Sequence, residues 1–111
     1  MAKIGGNIKG SFQTKTTIKN EIGEGIQTWT DVISCVGWLD WRDGEKKYTS
    51  FNAKIEESSH VFICDYNPAI YAFADQDSRM IIKGKMYDVL LIDNPMEMDE
   101  QLEIYLRKVG G

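Results

Sequence analysis

Apolar and polar positions alternate with period two over most of the chain. From Phe12 to Ile18 the sequence reads FQTKTTI, which sets Phe12, Thr14, Thr16 and Ile18 on one face and Gln13, Lys15 and Thr17 on the other. That alternation predicts a strand. NEIGEG, Asn20 to Gly25, interrupts it with two glycines, an Asn and two Glu, and reads as a turn. IQTWTDV, which follows, fits either a strand or a single helical turn. ISCVGWLDW, Ile33 to Trp41, alternates again, with Ile33, Cys35, Gly37, Leu39 and Trp41 opposite Val36 and Trp38. Apolar residues on both faces predict a strand covered on both sides.

HVFICDY, His60 to Tyr66, is a run of aromatic and β-branched residues, and Asn67-Pro68 ends it because proline cannot donate to a ladder. Ala69 to Ser78 is an excursion without strand character. Met80 to Lys83 and Met86 to Ile92 flank Gly84, a hairpin signal with Lys83-Gly84 or Gly84-Lys85 at the turn. Asp93-Asn94-Pro95 marks a further turn. Gln101 to Val109 sets Leu102, Ile104 and Leu106 against Glu103, Tyr105 and Arg107, which predicts a last, half-exposed strand.

One segment stands apart. Residues 43–59, DGEKKYTSFNAKIEESS, are charged, and Tyr48, Phe51 and Ile55 have the three-then-four spacing of one helical face. Lys46 and Lys47 near its start and Glu56 and Glu57 near its end oppose the helix dipole. A weak helix or a long loop follows, and long loops in compact domains are commonly functional. The expected architecture is all-β, a small antiparallel barrel or sandwich of about six strands. It has a loosely held arm at 1–10, a core at 12–109, and one long loop at 43–59 with room for a short helix.

The 111 residues form one expected domain, long enough for one modest core. Seventeen acidic against thirteen basic residues give a formal net charge of -4, which argues against a tight grip on nucleic acid. Cys35 and Cys64 lie inside apolar runs and read as small buried hydrophobes. Two cysteines and a single histidine are too few for a disulfide framework or a zinc site. The N-terminus shows no apolar signal region, and the longest aliphatic run, Val89 to Ile92, is too short to span a bilayer, so a cytosolic chain without membrane association is expected.

Candidate chemistry is sparse. Asp75, Asp77 and Asp88 lack the glycine and terminal Glu of a calcium loop, and Glu97, Asp99, Glu100 and Glu103 read as a solvated loop. His60 with Cys35 or Cys64 could suggest a nucleophile and base, but no orienting partner is indicated. The glycine pairs lack the Lys-Ser/Thr of a phosphate loop. Trp29, Trp38 and Trp41 could stack nucleic-acid bases, yet they are not interleaved with Lys or Arg. The terminal Gly110-Gly111 is the ending used by ubiquitin-like modifiers and sulfur carriers, whose fold needs a substantial helix across the sheet. No enzyme, cofactor or metal is expected.

The order of the pieces resembles the phage head–tail joining family, the head-closure or head-completion adaptors of long-tailed phages. The resemblance rests on Glu21-Ile22-Gly23 followed by Trp29-Thr30-Asp31-Val32, then Gly44-Glu45 opening the long loop. Ser59-His60-Val61-Phe62-Ile63-Cys64-Asp65-Tyr66 follows, and then Met80-Ile81-Ile82, Gly84, Tyr87-Asp88-Val89 and the strand at Leu102 to Leu106. It spans about Phe12 to Val109. Three departures stand out: Asp65 occupies a place usually held by a basic residue, the excursion from Ala69 to Ser78 is long, and the N-terminal arm is an addition.

The resemblance implies a non-enzymatic virion protein of the neck, assembled in the host bacterial cytoplasm. It implies a homo-oligomeric ring of about twelve subunits with heterologous contacts. That ring would sit under the portal or a portal-bound adaptor, extend the DNA channel, help retain packaged double-stranded DNA without reading its sequence, and offer a docking surface to a tail terminator or tail completion protein. It places the lumen or gating loop and subunit interface at Glu45, Lys46, Lys47, Tyr48, Phe51 and Ile55. Ile4, Ile8, Tyr71 and Phe73 are the candidate contacts to portal, tail or neighbour. Two alternatives stay open: a tail-terminator or tail-tube adaptor, and a modifier or sulfur carrier that uses Gly110-Gly111.

Overall fold

One long hairpin organises the molecule. In the computed structural model, which describes residues 3–41 and 58–109, strand β1 (Ile8–Lys19) pairs antiparallel with β2 (Gly25–Trp41). Asn20 builds the turn between them, its side-chain oxygen accepting the N–H of Ile22 at 3.1 Å and of Glu24 at 2.9 Å. IQTWTDV is therefore strand, and the turn lies where the glycines and Asn predict it.

Four further strands complete the sheet: β3 (His60–Asp65), β4 (Ser78–Ile82), β5 (Lys85–Asp93) and β6 (Gln101–Lys108). They run in the order β1-β2-β3-β6-β5-β4, and β4 returns to pair with β1, closing a barrel in which every pairing is antiparallel. Closure removes the sheet edges that an open β-protein must protect. Between β4 and β5 the turn is Lys83-Gly84, with φ of 51° and 75°. Two successive left-handed residues are the signature of the tight hairpin turn whose twist suits the strands.

The inward-facing residues form the core. Phe12, Phe62, Met80, Leu102, Ile104 and Leu106 are fully buried, each on the face that alternation assigns to the interior. A short helix, α1 (Pro68–Tyr71), adds Ile70, also fully buried. Asn67 caps it by accepting the Ala69 N–H at 2.9 Å, and proline opens it. Phe73 follows, its ring 6.5 Å from that of Phe12. The excursion from β3 to β4 thus packs a lid on one end of the barrel. Four helical residues are too few to display a period in sequence.

Two expectations change. The second half of β2 is not covered on both sides: Val36 and Trp38 are 52% and 43% exposed, because only the inner face meets the core. β6 is less open than half-exposed, since it lies between β3 and β5, and Tyr105 and Val61 form a small second cluster on its outer side.

A β-bulge shapes the rest. Phe12 faces Ile33 and Gln13 faces Asp31, so Val32 is the extra residue, and both Val32 and Ile33 pack against the core. Bulges bend a strand and raise its twist. Beyond this point β1 meets β4 only as far as Thr14, and β2 meets β3 only from Gly37 onward. Lys15 to Lys19 and the start of β2 therefore leave the barrel as a two-stranded ribbon, consistent with a longest dimension of 48 Å.

Candidate functional site

The expected gating residues Glu45, Lys46, Lys47, Tyr48, Phe51 and Ile55 lie outside the described residues, as does Gly110-Gly111. Their point of attachment is well defined. Trp41, the last residue of β2, pairs with His60, the first of β3, so the long segment leaves and re-enters the barrel at one place. His60 stands edge-on to Trp41 and Tyr87, with ring centroids at 4.9 and 5.1 Å. Trp41 is 75% exposed at the rim. The Ser59 N–H donates to the Leu106 carbonyl at 2.8 Å, and the Lys108 N–H donates to the Ser59 hydroxyl at 3.0 Å, so the returning chain is spliced onto β6.

The Ser59 hydroxyl and His60 Nδ1 lie 2.8 Å apart. Burial, with Lys108 and Lys85 nearby, lowers the His60 pKa and favours the neutral ring. The hydroxyl also accepts a backbone N–H, and the ring is held between two aromatic edges, which makes the pair a structural joint. The sequence pairing of His60 with a cysteine does not materialise, since His60 and Cys64 sit at opposite ends of β3, roughly 13 Å apart.

Cys35 and Cys64 do come together, as free thiols. Their mutual hydrogen bond and burial push the Cys64 thiol up, so it stays protonated. Both line an open cleft of about 420 Å³ with Val36, Tyr66, Lys3 and Lys9. Among the described residues no group of three or more His, Cys, Asp or Glu side chains could hold a metal ion. Asp99 is occupied by Asn94, which donates to its carboxylate at 2.8 Å and accepts its N–H at 3.1 Å.

The N-terminal segment is held against this cleft. The N–H groups of Ile4 and Gly5 donate to the Asp65 carboxylate at 2.7 and 3.0 Å. Trp38 Nε1 donates to the Ile4 carbonyl at 3.0 Å, and the Asn7 N–H to the Gly37 carbonyl at 3.0 Å. Ile8 already belongs to β1 and packs against the core. Tyr71 and Phe73 also pack partly buried against the core, with Tyr71 6.1 Å from Tyr66. Of the four expected contact residues, Ile8, Tyr71 and Phe73 thus pack against the barrel's own core, while Ile4 is held by its backbone.

Trp29-Thr30-Asp31-Val32 acquires a role at the root of the ribbon. The Trp29 ring takes the Arg79 guanidinium at 4.3 Å and the Lys15 ammonium at 5.6 Å. Arg79 Nε donates to Gln13 at 2.7 Å, and Gln13 donates to Asp31 at 2.6 Å. Val32 is the bulged residue. The motif fixes where the ribbon departs, and its contacts depend on β4, which sequence spacing alone does not place beside it.

Among the described residues no helix is long and apolar enough to cross a membrane. The family model for phage head completion protein matches residues 7–109, a span that contains all six strands. No curated protein matches the sequence significantly. Among solved structures, the solution structure of protein SF1141 from Shigella flexneri 2a is similar, with a TM-score of 0.66 over 96% of each chain. At 17% identity that likeness concerns the fold. With its barrel, its ribbon motif and its loop-return segment all inside the matched span, the chain belongs to the phage head completion protein family, whose members are structural, adaptor-type components of the phage head.

Proposed function

We propose that the chain is a head–tail connector adaptor that assembles as a ring under the portal, extends the DNA channel, helps retain packaged DNA and presents the tail docking surface. The family match over residues 7–109 carries this reading. The barrel geometry supports it: the pair Trp41 and His60 brings both ends of the long segment to one place on the barrel. In the ring, Tyr48, Phe51 and Ile55 anchor that segment on a neighbour, and Glu45, Lys46 and Lys47 face the channel. A net charge of -4 suits a passage through which DNA slides without sticking. The exposed parts of Ile4, Tyr71 and Phe73 remain contacts to portal, tail or neighbour in this scheme.

Electron microscopy of the protein mixed with DNA-filled heads tests the assignment. A ring capping the portal is the expected result, and a ring at a tail end would instead make the chain a tail terminator. Tyr48→Ala combined with Phe51→Ala should impair ring formation and DNA retention; intact rings and full heads with that variant would remove the loop from the mechanism. Modifiers and sulfur carriers need a helix packed across the sheet, whereas the one α-helix among the described residues has four residues and plugs a barrel end.

A further inference from the structure

The distal ribbon exposes three isoleucines that the barrel never covers. Ile18 and Ile26 are direct cross-strand partners, 57% and 51% exposed, and Ile22 at the turn is 77% exposed. A lone two-stranded ribbon is marginally stable in water, and exposed apolar side chains clustered at its end suit an interaction site. Glu21 and Glu24 flank Ile22, and neither has an ion-pair partner among the described residues.

The cleft beside β2 has the complementary character. Cys35, Val36 and Tyr66 line it over the buried Cys64, together with the polar Ser34 and Asn67 and the lysines Lys3 and Lys9. Neither lysine has an ion-pair partner among the described residues. The third charged group there, Asp65, is occupied by the N–H groups of Ile4 and Gly5. Two lysines against one carboxylate leave the lining net positive, which matches an isoleucine tip flanked by two glutamates. The tip cannot fill its own cleft, because Ile26 and Cys35 are nine residues apart on one extended strand, roughly 30 Å.

We propose that the ribbon tip of one copy, Ile22 with Ile18 and Ile26, docks into the Cys35–Val36–Cys64–Tyr66 cleft of a second copy, with Glu21 and Glu24 against Lys3 and Lys9. The contact is heterologous, so it propagates head to tail and closes when the rotation per copy allows. It deepens the ring reading of the proposed function and rests on it only for the identity of the assembly.

Charge reversal tests the pairing. Sedimentation velocity of the full chain over a concentration series should show self-association. Glu21→Lys with Glu24→Lys, or Lys3→Glu with Lys9→Glu, should each weaken it at least about tenfold. Mixing the two reversed chains should restore assembly, because each tip then meets a cleft of opposite charge. Ile22→Ser, at an open turn position, should weaken assembly without changing the circular dichroism spectrum. A wild-type chain that stays monomeric to its solubility limit, reversed chains that assemble as wild type, or a mixture that fails to recover would each overturn the contact. Assembly through tip and cleft by a chain that does not join DNA-filled heads would instead sink the connector reading and leave this contact standing.

Discussion

Asp65 holds Ile4 by its backbone: one carboxylate oxygen accepts the Ile4 N–H at 2.7 Å, and the other accepts the Gly5 N–H at 3.0 Å. The acid at position 65 and the N-terminal segment are thereby one structural feature. Hydrogen bonds to a charged acceptor contribute more than neutral ones, and partial exposure reduces them. Asp65→Ala should cost about 1–2 kcal/mol and release residues 3–7. The indole N–H resonance of Trp38, bonded to the Ile4 carbonyl, should shift, and the Ile4 and Gly5 amides should exchange faster.

Ile70 should behave as a core residue despite its place in the excursion. It is fully buried and seated beneath the helical turn that closes one barrel end. Ile70→Ala should destabilise the fold by about 2–5 kcal/mol. Urea unfolding measures this, and a cost near zero would mean that the lid is not part of the cooperative unit.

His60 gives a pH signature. Its ordinary pKa is near 6.5, and burial with repulsion from Lys108 and Lys85 lowers it in the folded chain. As pH falls through 6.5 the unfolded ring takes up a proton before the folded one does. The stabilising contribution is whole above that pH, is lost between it and the lower folded value, and is constant below. Solvent screening of this partly exposed ring keeps the loss small. Comparing urea midpoints at two pH values, one on each side of this window, should show a smaller drop for His60→Gln than for the wild type. Equal drops would count against the assigned environment.

Strand periodicity made the barrel legible because every strand has one buried face, and Phe12, Phe62 and Leu102 to Leu106 announce it. Val36 and Trp38 misled for a physical reason. They are apolar on the outer face, and the Trp38 indole also bonds the backbone of the N-terminal segment, a contact that strand patterning does not encode. The Trp29 motif was visible as a word, but its meaning depends on Arg79, fifty residues later, reaching it through the β1–β4 closure. α1 stayed hidden because its signal is a cap and a proline rather than a period. The exposed tip isoleucines look like ordinary strand and turn residues in sequence, since alternation does not say where a barrel stops covering its own hairpin.

Asp93 and Glu103 are direct cross-strand partners of like charge. Burial first, and then the Glu103 carboxylate, raise the Asp93 pKa above the ordinary carboxylate value. Its charged form is thus disfavoured in the folded chain, and its contribution to stability diminishes as pH rises through the raised value. Asp93→Asn should stabilise the protein at neutral pH by up to about 1 kcal/mol and lose that advantage in acid. Thermal unfolding at the two pH values checks the sign.

Gly37 is the point where three layers of backbone meet. A side chain there would place its Cβ 2.5 Å from the Ile63 carbonyl oxygen and 2.7 Å from the Phe62 ring, both in the barrel wall and core. On the other side, a Cβ on Gly6 would collide with the Gly37 backbone. The two glycines therefore report on different things. Gly37→Ala must move β3 or Phe62, and overpacking of that kind costs about 1–3 kcal/mol of global stability. Gly6→Ala can be relieved by lifting residues 3–7 off the barrel, at the cost of the Asp65 and Trp38 contacts and of the Asn7–Gly37 backbone bond. Urea unfolding should separate them, with a large loss for Gly37→Ala and a smaller one for Gly6→Ala. Hydrogen exchange should show the Ile4 and Gly5 amides unprotected in Gly6→Ala while the β3 amides stay protected. Equal protection of Ile4 and Gly5 in Gly6→Ala and wild type would mean that the segment does not lie on Gly37.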